Sequence, residues 1–193
     1  MNTPAHLLVG AAVFGGRTHH KILVAAFVGA ILPDLSLYIM AGVSLFVLGI
    51  PPTIVFNDLY FSNTWQTVFA IDNSFVVWGV LFGLACWHRR TPWAVALTGA
   101  ALLHVFLDFP LHHDDGRPHF WPFSWWVFES PISYWDRGHG AAWIAPIEAA
   151  LATFSAVILW RRGLPAWGIA CVVLLLLAEL WVVRQWLFFF SNG

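Results

Sequence analysis

Residues 165–190 read PAWGIACVVLLLLAELWVVRQWLFFF, a run in which Glu179 and Arg184 are the only charged side chains. A bilayer's hydrocarbon core takes roughly 20 apolar residues of helix, so this run is long enough to cross it. Four earlier stretches have the same character, at about residues 21–48, 65–87, 93–109 and 143–160. A further Gly/Ala-rich piece, residues 4–15, is too short to span with any margin and reads as a packed or re-entrant short helix. The expectation is an all-α, polytopic transmembrane helix bundle. It has five spans, a short N-terminal helix and one long outer loop at about residues 110–142. Residues 1–193 form a single integral membrane domain, with no visible internal repeat.

The composition agrees with this reading. Of the 193 residues, 60% are hydrophobic and 10% charged, against roughly 25% charged in soluble domains. Thirteen Trp and seventeen Phe suit a chain with two membrane interfaces to line. A net charge of −1 gives no reason to expect a nucleic-acid partner; membrane lipid is the expected surrounding. Cys86 and Cys171 are isolated in apolar segments, which argues against a thiolate zinc site or a disulfide framework. No basic region precedes the first apolar run, so it reads as mature sequence rather than a signal peptide.

Orientation follows from the basic residues. Arg17 and Lys21, Arg89 and Arg90, and Arg161 and Arg162 mark three short connections. They alternate with two acidic or mixed loops, 49–64 and 110–142. The positive-inside rule places the basic connections in the cytoplasm and both loops outside, together with the C-terminus.

Ionisable residues inside a membrane are costly, and each is a functional candidate. Here they are His6, Asp34, Asp72, His104, Asp108, Glu148, Glu179 and Arg184. At about 1.5 Å per residue, most of them share one depth. Asp34 lies roughly 20 Å above the cytoplasmic start of its span. His104 and Asp108 occupy the outer part of theirs, Asp72 sits within about 15 Å of its outer start, and Glu148 is five residues below Trp143. His6 joins them if the N-terminal helix runs inward. His104 and Asp108, at i and i+4, share a helix face, and imidazole with carboxylate is half a site for zinc or another borderline divalent ion. The competing reading is a hydrogen bond that only packs two helices. Pro33 bends the helix before Asp34 and opens room there. Glu148, in APIEAA, is a ligand, a general base or a neutral acid. Asp72-Asn73-Ser74 interrupts its span with a polar face expected to look into the same cavity.

His112, His113, Asp114, Asp115 and His119 crowd the long loop. A solvated loop accounts for His112 and Asp115, whereas His113 or His119 is expected to reach back as a ligand. His19, His20 and His88 read as interface residues on the cytoplasmic side. Glu179 and Arg184, five apart on the last helix, read as structural, with Arg184 snorkelling outward.

Together these motifs resemble the bacterial inner-membrane proteins described as membrane-bound metal-dependent hydrolases. The likeness rests on AHLLVG with His6, ILPDLS with Asp34, HVFLD with His104 and Asp108, HFWPFSWW with Trp121-Pro122, and HGAAWIAPIE with Glu148. It covers residues 5–148. That family is in turn similar to zinc-dependent phospholipase C and fungal single-strand nucleases. The resemblance implies a divalent metal, most readily zinc, and hydrolysis of a phosphoester or lipid-linked substrate at the outer leaflet of a bacterial inner membrane. It implies His6, Asp34, His104 and Asp108 as metal ligands and Glu148 as catalytic; the loop reading adds His113 and His119 to the ligand candidates, and Asp72 is the further catalytic candidate, a carboxylate in the stretch that departs from the family. The family's His-rich motif between Leu-Pro-Asp and His-x-x-x-Asp is replaced here by IDNSFVVWG. That departure keeps a second reading open, a non-enzymatic transport or assembly protein with an ion-binding or structural polar cluster. Secondary transporters usually show inverted repeats, and none is visible.

Overall fold

The computed structural model describes residues 1–16, 20–88 and 91–185. Arg17, His19, Arg89, Arg90 and residues 186–193, which bear on the orientation argument, lie outside the described residues. All regular elements among the described residues are helical, with no strand, and the segment 112–136 is irregular. The helices are α1 (Thr3–Phe14), α2 (His20–Gly42), α3 (Pro52–Ile54), α4 (Asn63–Asp72), α5 (Phe75–Trp87), α6 (Pro92–Asp108), α7 (Ala141–Arg161) and α8 (Ala166–Arg184). Five continuous or near-continuous helical stretches are long and apolar enough to cross a membrane: His20–Val47, Asn63–Trp87, Pro92–Leu111, Ala141–Arg161 and Ala166–Arg184. Large apolar side chains such as Phe46, Trp87, Trp143 and Leu174 point out of the bundle, as lipid-facing side chains do.

Small residues set the packing. Gly29 lies so close to α6 that a Cβ there would come within 2.0 Å of the Leu97 carbonyl oxygen. A Cβ on Gly10 would meet Ala30 Cβ at 2.8 Å. Ala26, Ala30, Ala96 and Ala100 complete this tight seam between α2 and α6. Without a hydrophobic drive between helices in lipid, close backbone approach of this kind is the main source of association. α1 lies inside the bundle, with Ala5, Leu8, Ala11 and Ala12 packed against residues of α7 and α8. That explains how a helix too short to span is still held at depth.

The span at residues 63–87 is broken. α4 ends at Asp72, and Ser74 caps α5 by accepting from the Val76 and Val77 N–H groups. The gap receives the long loop: Phe75 N–H donates to the His119 carbonyl at 2.8 Å, and Ser74 Oγ donates to the Trp121 carbonyl at 2.5 Å. Both long connections meet at this end of the bundle, where Tyr60 Oη donates to the Asp115 carbonyl. At the other end Arg162 donates to the carbonyls of Ala11 and Gly15, and Trp167 Nε1 donates to His20 Nδ1. Arg162 and His20 therefore lie at the end of the bundle opposite the two long connections.

Candidate metal centre

α1 delivers His6 and α6 delivers His104 and Asp108 to one buried point, where one ligand atom of each lies within 4.8 Å of the others. His6 Nε2 is 2.7 Å from Asp108 Oδ1, and His104 Nε2 is 3.3 Å from Asp108 Oδ2. The two imidazoles stack, with centroids 3.7 Å apart and planes at 14°. Asp34 enters from α2, placing Oδ2 at 3.6 Å from His104 Nε2. The α2–α6 seam brings the Ala30 carbonyl to His104, whose Nδ1–H donates to it at 2.7 Å. With that hydrogen bond a proton sits on Nδ1, so the neutral ring presents its Nε2 lone pair to Asp34 and Asp108.

That lone pair is the test of fit for a metal. His104 Nε2 is buried and has no hydrogen-bond partner, yet two carboxylate oxygens face it. Three electron-rich atoms turned toward one another inside a protein are mutually repulsive unless a cation or proton lies among them. A backbone carbonyl on the far nitrogen is the usual support for a metal-ligating histidine. Two imidazoles and two carboxylates suit zinc or a similar borderline ion. The Met1 nitrogen also approaches, 2.5 Å from Asp108 Oδ1 and 3.9 Å from Glu148 Oε1.

Arg117 orients Asp34. Its Nη1 donates to Asp34 Oδ1 at 2.9 Å and to Asn73 Oδ1 at 2.7 Å, and the guanidinium lies over the Phe69 ring at 5.0 Å. Burial opposes the charge, but Tyr60 and Asp34 beside it raise the pKa still further, so Arg117 stays cationic. One Asp34 oxygen is thereby held by Arg117 while the other faces His104. Asn73 Nδ2 donates to the Pro33 carbonyl at 3.1 Å, tying the break between α4 and α5 to the proline turn of α2. His112 forms a further bridge, with Nε2 at 3.4 Å from Asp108 Oδ2 and Nδ1 at 2.9 Å from Asp115 Oδ2. Burial alone would favour neutral His112, but hydrogen bonds to Asp108 and Asp115 outweigh it and raise its pKa.

Glu148 sits beside the cluster. Asn2 N–H donates to its Oε1 at 3.1 Å, and Asn2 Nδ2 to its Oε2 at 2.9 Å. The same Asn2 amide nitrogen lies 3.3 Å from Glu179 Oε1, and Glu179 Oε2 has no partner. Two buried carboxylates from α7 and α8 thus share one amide.

The structure therefore brings together His6, Asp34, His104 and Asp108, with Glu148 adjacent. It keeps three other candidates apart from them. Asp72 is half-buried at the end of α4, and it is Asn73, the next residue, that engages Asp34's partner Arg117. His113 Nδ1–H donates to the Ser130 carbonyl at 2.6 Å, and His119 Nδ1–H to the Asn73 carbonyl at 2.8 Å. Burial of His119 lowers its pKa to about 4, so it is neutral at neutral pH. Buried His112 contrasts with the solvated role expected for it. Arg117 is not among the residues singled out from the sequence. Glu179, read as structural beside Arg184 on its own helix, shares Asn2 with Glu148 across the α7–α8 interface. An Arg in the loop beside a membrane Asp lacking a cation was the signal available for Arg117.

Comparison with known proteins finds no matching family model, no matching curated protein and no matching solved structure.

Proposed function

We propose that the chain is a membrane-embedded metal-dependent hydrolase of a phosphoester or lipid-linked substrate, working at the leaflet next to its long loop. The observation that carries the reading is the bare Nε2 of buried His104, facing Asp34 and Asp108. His6, His104, Asp34 and Asp108 would hold the metal, which when bound would polarise a phosphoryl oxygen and acidify a bound water. Glu148 is placed to accept a proton, since its carboxylate lies beside Asp108 across the Met1 nitrogen. Arg117 holds Asp34 in position and keeps positive charge at the site. The resemblance to membrane-bound metal-dependent hydrolases supports the same chemistry, a bacterial inner-membrane setting and an outward-facing loop. A reporter inserted at Asp115 should then read the non-cytoplasmic side, and a cytoplasmic signal there would reverse the orientation.

One observation favours a second reading, an ion-binding protein without turnover. His6, His104, Asp108 and Glu148 are each no more than 3% exposed, so a substrate must open the bundle to reach them. The two readings separate on zinc-loaded protein in lipid nanodiscs, offered phospholipids and polyprenyl phosphoesters. The hydrolase releases phosphate or phosphoalcohol, and Glu148→Gln abolishes release while retaining zinc. Zinc binding without release, unaffected by Glu148→Gln, leaves the ion-binding reading.

A further inference from the structure

Between Arg117 and Glu129 the long loop carries no charged side chain; residues 118–128 read PHFWPFSWWVF. This segment is pinned to the middle of a span rather than to its end. The break between α4 and α5 leaves the Asn73 carbonyl and the Phe75 N–H without helical partners, and His119 takes both. Its Nδ1–H donates to the Asn73 carbonyl at 2.8 Å, and its carbonyl accepts from Phe75 N–H at 2.8 Å. Ser74 Oγ donates to the Trp121 carbonyl beside them. Ser74 stands near the middle of the Asn63–Trp87 stretch, roughly 16 Å from the Asn63 end at the helical rise.

Ring contacts then fix which side chains face outward. Phe109, at the end of α6, packs on Phe120 and Phe128 with centroids 6.0 and 4.8 Å apart. Phe75 meets both Phe109 and Phe120, and Trp126 leans on Phe120 and Phe128. On this base Phe123 is 84% exposed, and Trp125 and Trp126 are each 56% exposed. Phe106, about one turn before Phe109 on α6, is exposed as well. The aromatic patch is therefore continuous with the outward face of a helix long and apolar enough to cross a membrane.

We propose that residues 120–128 are seated in the lipid of the leaflet next to the long loop, with Phe123, Trp125 and Trp126 among the glycerol groups and upper acyl chains. The proposal rests on reading the five long apolar stretches as membrane spans. Aromatic side chains are favoured at that level of a bilayer, and an apolar patch left in water is a liability. Irregular backbone near hydrocarbon must have its polar groups satisfied by protein, and here much of it is. Phe123 and Ser124 N–H donate to the Phe120 carbonyl at 3.0 and 3.1 Å, and Trp126 N–H donates to Ser124 Oγ at 3.1 Å. Exposed Asp114 and Glu129, before and after the segment, mark where the loop returns to water. The segment follows closely on Arg117, whose guanidinium holds Asp34, so lipid contact bears on the stretch that carries this cation to the buried centre.

The test is electron paramagnetic resonance of nitroxide-labelled full-length protein in phosphatidylcholine nanodiscs. In a Cys86→Ser/Cys171→Ser background, each protein carries one labelled position: Phe123→Cys, Trp125→Cys, Asp114→Cys or Leu174→Cys. Collision with oxygen, which concentrates in acyl chains, is compared with collision with a neutral nickel chelate, which stays in water. Leu174, exposed in the middle of α8, should read lipid, and Asp114 should read water. The oxygen-to-nickel ratio at Phe123 and Trp125 should be shifted from the Asp114 value toward that of Leu174. Independently, lipids brominated on the acyl chain should quench a smaller fraction of the tryptophan fluorescence in Trp125→Phe/Trp126→Phe than in the wild type. Phe123 and Trp125 labels as open to nickel as the Asp114 label, in a protein whose Leu174 label reads lipid, overturn the proposal and leave the membrane-spanning reading intact. Labels shielded from both reagents, with spin–spin broadening between chains, assign the patch to a second copy and likewise overturn it. Nickel access at Leu174 overturns the spanning reading and the proposal with it.

Discussion

Two stacked histidine pairs, His6–His104 and His113–His139, have nearly the same ring geometry and opposite surroundings. Centroids lie 3.7 Å apart in the first and 3.5 Å in the second. The first is sealed among Asp34, Asp108 and Arg117 at 1% exposure, while the second lies on a half-exposed loop beside Asp136 and Glu129. Desolvating a charge costs several kcal/mol even after the protein relaxes. Every charge near His104 must therefore be matched by a neighbour. Near His139 water does that work, and ion pairs there contribute little. The same side-chain arrangement is thus bound to its neighbours in the core and nearly independent of them on the surface.

The strongest way to break this contrast is Arg117→Met. It leaves the Asp34 carboxylate buried without its cation, and should destabilise the protein by about 3–5 kcal/mol, read from thermal unfolding in detergent with metal removed. Glu129→Gln on the loop should leave that melting curve in place. Equal shifts for the two variants would erase the distinction.

Gly29→Ala acts on the scaffold rather than on charge. Its Cβ would lie 2.0 Å from the Leu97 carbonyl oxygen, so α2 must move off α6 and take the Ala30 carbonyl away from His104. The expected cost is about 1–3 kcal/mol, with weaker zinc binding at the buried site. Gly79→Ala, where nothing lies within 4 Å, is the matched control and should be neutral or slightly stabilising.

A smaller effect concerns pH at the junction between the two regions. Burial lowers the His119 pKa from 6.5 to about 4, so the unfolded state takes up a proton before the folded one does. Stability from this residue is full above about pH 6.5 and declines as the pH falls toward 4. Between pH 7 and 5 the loss is about 2 kcal/mol. Hydrogen exchange across residues 117–121 should accelerate over that interval, and His119→Gln should flatten the dependence. Smallest of all is the effect of Glu148→Gln on folding, since the amide oxygen still accepts one of the two Asn2 hydrogen bonds; its melting temperature should stay near that of the wild type while the Glu148→Ala protein melts lower.

Much of the fold could be read along the chain because lipid imposes simple rules. Runs such as Ala166–Arg184 must be helices, since backbone groups in hydrocarbon find partners no other way. The convergence of His6, Asp34, His104 and Asp108 was legible because all four sit at a similar depth, on three helices, α1, α2 and α6. Arg117 was not, because its role depends on a loop descending to the break at Asn73-Ser74, and loop paths leave no periodic trace. Glu179 was missed for a related reason: spacing within a helix says nothing of what stands across from it. The tautomers of His104 and His139 lay further from reach, being set by an Ala30 carbonyl 74 positions away and by the Asp136 turn.

The most direct measurement is the zinc content of purified protein carrying His113→Ala and His139→Ala, with and without His104→Ala, by elemental analysis after dialysis. One zinc per chain should remain in the first protein and none in the second, with both retaining the wild-type helical circular dichroism. Equal zinc in the two folded proteins, or none in either, would contradict a metal centre at His6, Asp34, His104 and Asp108.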